Sequence, residues 1–377
     1  MNRRHFLRDA LAGAVTLPRL AAAPRLAGAL AGAATLGLGG CAGESKGPRR
    51  KLVYASGFSL AKSIDERLWL DFEKRVEAAL PDNDVRLLIR GEAGPEEQMF
   101  GSLRRDRIQV AGGSFAGVAM LVPEIALLSA PFLFDSEQEV DFVMDRYMLG
   151  AFRELFGRIG LRLLHWTEIG WVNLYGKRPM WTPAAARGQR VRASASIASQ
   201  AFVREIGADT ITLPFSEVLP SLQTGLIDAG VTSVTMYALS GIPGEAPYYV
   251  LTRHTYDMGV MLASAEWYDG LSERERAVYA LGLGGAESTR RAARDSVAAL
   301  LRELPGRGVR IHDPSPQERA TWRAAAWPSH RKLVRQIGGQ AQRIYDTLLE
   351  GREAFARSRD AALAGTAAAA APDDSAR

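Results

Sequence analysis

Cysteine is nearly absent from this chain. Cys41 stands alone among 377 residues, so no internal disulfide can form and the fold must rest on its core. Histidine is scarce as well. His5, His165, His254, His312 and His330 form no H-E-x-x-H or other metal-ligand spacing, so no metal is expected. The G-x-S-x-G elbow, the G-x-x-x-x-G-K-[ST] phosphate loop and a strand followed by dinucleotide-type glycines are all missing, and no cofactor is expected. No surplus of one charge marks a nucleic-acid binder. The net charge is +5, but residues 1–40 carry five arginines and one aspartate, which leaves about +1 for the rest. Long apolar runs are missing too. The longest uncharged stretch of the leader, residues 26–40, falls short of the ~20 residues of a spanning helix.

What is present is a globular composition, 47% hydrophobic and 24% charged, with length enough for two lobes. Residues 1–40 read as a targeting segment. Arg3-Arg4-His5-Phe6-Leu7 is a twin-arginine pattern, and Leu38-Gly39-Gly40-Cys41 resembles a bacterial lipobox, in which the cysteine sulfur takes a diacylglycerol. An ordinary cleaved signal is the other reading. Both place the product outside the cytoplasmic membrane. Residues 41–50 read as a tether and 361–377, alanine-rich without an apolar face, as a disordered tail.

Between them the pattern is α/β. Strands are expected at 51–56, 84–89, 108–111, 162–166, 249–252 and 258–263, with a brief one at 309–311. Helices are expected at 64–80, 96–105, 136–156, 272–304 with a weak point at 281–285, 316–337 and 340–357. The informative stretch is 187–233. Two buried-strand signals, 189–193 and 227–232, flank helical segments, an order that produces a parallel sheet with ligands beyond its carboxyl ends. Arg192 stands at one such end, Thr232 and Ser233 at another, and Phe215 in the loop between. A guanidinium fork, an aromatic face and two hydroxyls can therefore converge on one cleft. Gly112-Gly113-Ser114 follows another strand end. Asn173, Ser114 and Tyr237 could add polar contacts, and Trp171 could add burial. Each has a plainer alternative: core packing for Trp171 and Phe215, helix capping for Thr232 and Ser233.

The order of R-R-D-R-I-Q-V-A, L-V-P-E, S-A-P-F-L-F-D, K-R-P-M-W-T-P, R-G-Q-R-V-R-A and F-S-E-V-L-P-S-L-Q-T-G-L-I-D-A-G resembles the solute-binding proteins of the tripartite ATP-independent periplasmic (TRAP) transporters, dicarboxylate-binding type, over about residues 51–352. The resemblance implies a two-lobe periplasmic binding protein, with strands crossing between lobes and a long helix bridging both. It places lobe I at 51–169 plus about 258–297 and lobe II at 170–257 plus about 298–352. It implies a small organic acid as ligand, delivery to membrane permease subunits driven by a sodium gradient, and a monomer. Arg192 falls on the family's carboxylate-holding position, Phe215 on its aromatic, and Thr232 where many members carry asparagine. The sequence departs at Val172, where many members place a second arginine, and at D-A-G-V-T-S in place of D-G-x-E-N-P. One guanidinium suits a monocarboxylate, or an acid with an apolar or hydroxylated body, better than a dicarboxylate. A periplasmic hydrolase or isomerase on this scaffold, or a receptor for a membrane sensor, are the competing readings.

Overall fold

The structure, a computed structural model, describes residues 51–57 and 59–369; the leader, the tether with Cys41, and residues 370–377 lie outside the described residues. Its frame is one mixed sheet in the order β2-β1-β3-β8-β4-β7-β5-β6, with β9 beside β8. The strands are β1 (Lys51–Ser56), β2 (Asn83–Leu88), β3 (Val110–Ser114), β4 (Leu161–Gly176), β5 (Arg190–Ala193), β6 (Asp209–Thr212), β7 (Ala229–Ser233), β8 (Tyr248–Ser264) and β9 (Arg310–His312).

Two of these strands organise the rest. β4 and β8 have 16 and 17 residues and pair antiparallel along their length. One end of the pair meets β3, with Val110 opposite Ala263 and Ser114 opposite Gly259; the other meets β7, with Val172 opposite Ser233 and Gly176 opposite Ala229. The pair thus runs through both lobes. The two segments expected at 249–252 and 258–263 are one strand, because β8 bends instead of ending. Arg253 takes φ 43°, and the ladder shifts register between Glu168 and Gly170 and between Val172 and Leu174. β5 lies parallel to β7, with Arg192 opposite Gly230, as the 187–233 stretch suggested. The short edge strand β6, half-exposed and only four residues long, was not anticipated.

Local chemistry sets the helix boundaries. Helix α1 (Ile64–Ala79) starts where the Ser63 hydroxyl accepts the Glu66 amide, and it buries Trp69, Phe72 and Val76 against β1 and its neighbours. Helix α2 (Glu96–Arg104) follows Pro95 and buries Met99, Phe100 and Leu103. The helix expected at 272–304 breaks at its weak point into Glu273–Ala280, begun by a Ser272/Glu275 capping box, and Ala286–Glu303. The latter is the long helix that packs on β4 and on Val234–Ala238. The one expected at 316–337 splits into Pro316–Ala326 and Ser329–Ile337, on either side of Pro328. The final helix runs Ala341–Ala369, so the tail expected to be disordered is helical through Ala369. Alanine forms helix at the lowest cost of any residue even without a face to bury. Among the described residues no helix is long and apolar enough to cross a membrane.

Candidate functional site

A cleft of about 1000 Å³ opens along the carboxyl ends of β3, β5 and β7, over the middle of β4 and β8. Arg192, next to last in β5, lines it and is 6% exposed. Its Nε donates to the Leu213 carbonyl at 3.0 Å and its Nη1 to that of Val231 at 3.4 Å. No carboxylate among the described residues pairs with it. Burial pulls its pKa below the ordinary arginine value, opposed only by the nearby Tyr175 phenol. A guanidinium carries five N–H donors, and two carbonyls leave it short of acceptors and without a counter-charge.

Phe215 lines the cleft at the start of the short Phe215–Glu217 turn and is half-buried against the second lobe's core. Thr232 and Ser233, buried at the end of β7, also line it. The Ser233 hydroxyl accepts the Met236 amide at 3.4 Å and caps the helix that follows. Ser114 does the same at the end of β3, accepting the Gly117 amide at 3.1 Å while donating to Glu96 Oε2 at 2.5 Å. Both serines act as caps whose hydroxyls reach the cleft wall.

Three expected contacts lie elsewhere. Trp171 packs edge-on against Tyr256, with centroids 4.7 Å apart, behind the cleft. Asn173 is 1% exposed; its Nδ2 donates to the Trp171 carbonyl and the Tyr249 hydroxyl, and its Oδ1 accepts the Arg253 amide at 3.0 Å. It therefore holds the bend of β8. Tyr237 is fully buried, stacked on Tyr249 at 4.2 Å, and donates to the Ala246 carbonyl. The reason for the first two is strand alternation. Val172 faces the cleft, so residues 171 and 173 face away.

Sequence reasoning missed a set of acids and one aromatic. Asp65 and Trp69 stand one helical turn apart on α1 and both line the cleft. Trp69 lies flush against backbone: a Cβ at Gly57 or Gly112 would come within 2.6 or 2.7 Å of its indole. Glu96 opens α2, and Asp257 and Glu168 come from β8 and β4. Burial raises the Glu96 pKa and pushes Asp257 and Glu168 up to about 7 and Asp65 up to about 6. Of the two cleft histidines, burial drives His254 down to about 3 and lowers His165 as well, so both are neutral. Among the described residues no cluster is arranged to hold a metal ion.

The model of the bacterial extracellular solute-binding proteins, family 7 (DctP), matches residues 63–336. The chain belongs to that family. A solute-binding protein of Chromohalobacter salexigens is 26% identical over 281 residues, covering 74% of this chain and 80% of its own. The sugar acid binding protein DctPAm of Advenella mimigardefordensis, solved with galactonate, superposes with a TM-score of 0.74 at 24% identity, covering 80% of this chain and 99% of that one. The periplasmic ectoine-binding protein of the TeaABC TRAP-transporter of Halomonas elongata gives 0.75 at 19% identity, over 81% and 100% of the two chains. This family 7 protein is thus a TRAP-type extracytoplasmic solute-binding protein with the two-lobe fold.

Proposed function

We propose that the cleft captures a small organic acid through a single carboxylate held by Arg192, and that the protein delivers it, unchanged, to the membrane subunits of a secondary transporter. The observation that carries this is a buried guanidinium without a counter-charge at the cleft wall. Arg192 is the only lysine or arginine that lines the cleft among the described residues, and Val172 lines it where the family resemblance implies a second arginine. One charge-assisted fork, with apolar burial against Phe215 and Leu219, can supply the ~8 kcal/mol of micromolar affinity. The lobes follow as 51–169 with about 258–297, and 170–257 with about 298–352, exchanging chain through β4 and β8. Lipidation of Cys41 would hold the protein at a membrane surface; the intact mass of the exported protein checks it, and a free thiol at residue 41 or a start beyond it would refute it.

Calorimetric titration with acids of one and of two carboxylates tests the reading. Acids with one carboxylate are expected to bind, and dicarboxylates of equal length to bind about tenfold more weakly or worse, since the second charge meets no cation. The ligand should be recovered chemically unchanged. A preference for dicarboxylates, or turnover of the bound acid, would overturn the reading.

A further inference from the structure

Asp65, Glu96 and Asp257 line the same cleft as Arg192. Glu96 accepts the Ser114 amide at 2.9 Å on Oε1 and the Ser114 hydroxyl on Oε2. Asp257 accepts the Met258 amide at 3.1 Å and the Ser129 hydroxyl at 3.4 Å, both on Oδ1, so Oδ2 has no hydrogen bond among the described residues. Asp65 has no side-chain partner beyond its own backbone amide. None of the three is in an ion pair among the described residues. Other acids of the chain do find cations: Glu139 meets Arg352 at 2.8 Å and Asp145 meets Arg290 at 2.7 Å. The charges that Glu96 and Asp257 feel are negative ones, that of Glu97 on Glu96 and that of Glu96 on Asp257. An independent sign is Arg192 in the same cleft, 6% exposed and without a carboxylate partner among the described residues; Glu168, by contrast, is paired through Oε1 with Arg294 at 3.0 Å.

We propose that the cleft is built for a zwitterion, a ligand whose carboxylate meets Arg192 and whose ammonium or other organic cation meets Asp65, Glu96 and Asp257. This rests on the reading of Arg192 given above. The cleft presents one unpaired cation on β5 and unpaired carboxyl groups on α1, α2 and β8, and a ligand bearing both charges satisfies Arg192 and holds a carboxyl ionised beside its cation. Trp69 beside Asp65 adds an aromatic face, which attracts an organic cation through its ring quadrupole. The neutral histidines cannot supply the missing charge, and the acids do not converge closely enough to hold a metal ion. The same acids repel a second carboxylate, which gives the single-carboxylate preference a second cause.

Calorimetry on the full chain tests this with the ω-amino acids from 3-aminopropanoate to 6-aminohexanoate, each beside the unsubstituted acid of equal chain length. At the best length the amino acid is expected to bind about tenfold tighter or more than its partner, since a charge-assisted contact is gained. In Asp257→Asn and in Glu96→Gln that advantage should shrink to about threefold or less, with binding still dependent on Arg192. Asp65→Asn provides the same test should either variant fail to fold. Unsubstituted acids binding as tightly as amino acids, or an advantage unchanged in all three variants, would overturn the zwitterion while leaving the Arg192 anchor standing. Binding of neither series would overturn it as well. Binding indifferent to Arg192 would overturn the anchor itself.

Discussion

Replacing Arg192 with methionine is expected to weaken acid binding by at least ~100-fold while leaving the unliganded protein nearly as stable as before. The binding loss follows from the fork: two charge-assisted hydrogen bonds at roughly 1.5–3 kcal/mol each amount to several kcal/mol once water is excluded. The stability argument runs the other way. In the empty cleft Arg192 is a desolvated cation with two carbonyl acceptors and no anion, and burial already lowers its pKa. Methionine keeps the apolar stem and removes that charge. Against this, the Leu213 and Val231 carbonyls lose their donor, at a cost of about 1 kcal/mol each. The two terms nearly cancel, so Tm should stay within a few degrees. Arg192→Lys should fall between, because it keeps the charge but not the planar fork. Calorimetric Kd and scanning calorimetry of the three proteins decide. Acid binding within about threefold of the parent in Arg192→Met would place the anchor elsewhere.

The position of Arg192 was legible because its neighbourhood is regular. Two strand signals on either side of helical segments gave β5 beside β7, and a parallel pair exposes side chains at its carboxyl ends. Ser114, Phe215, Thr232 and Ser233 were found by the same rule and all line the cleft. The rule fails inside the crossing strands. In β4 the register shifts between Glu168 and Gly170 and again between Val172 and Leu174, so the alternation that would assign Trp171 and Asn173 to the far face cannot be phased from sequence. Tyr237 sits one turn into a helix whose cap was expected, but its hydroxyl turns inward to the Ala246 carbonyl. The acids were overlooked for another reason. An aspartate in a strand or at a helix start reads as solvated, and only the fold shows that Asp257, Glu96 and Asp65 share one cleft and pair with no cation among the described residues. Two signals were available: Asp65 and Trp69 at helical spacing, and Asp257 in the apolar half of β8.

The crossing of the lobes yields the other large effect, and it depends on pH. Arg294, on the Ala286–Glu303 helix, donates to both Asp141 oxygens at 2.8 and 2.9 Å and to Glu168 Oε1 at 3.0 Å. Tyr256 donates to the same Glu168 oxygen. Glu168 belongs to β4 at the crossing, and burial outweighs Arg294 and lifts its pKa from the model-peptide 4.5 to about 7. A carboxyl whose folded pKa exceeds its unfolded one binds more protons when folded, so its contribution is fully present below about 4.5 and fades as pH rises through about 7. In Arg294→Met the Glu168 charge loses its main compensation, and the folded pKa climbs further. At pH 8 that charge must either stay unpaired in a buried site or take up a proton, at a cost of about 3 kcal/mol. At pH 5 Glu168 is protonated with or without Arg294, and only the partly exposed pairs with Asp141 and Glu137 are lost, together worth about 1 kcal/mol. The Tm deficit of Arg294→Met should therefore widen from a few degrees at pH 5 to roughly 5–10 °C at pH 8. Adding Glu168→Gln should recover most of the pH 8 loss, because the amide removes the charge left without a partner. A deficit equal at both pH values, or no recovery in the double variant, would show that Arg294 stabilises the crossing through Asp141 and not through Glu168.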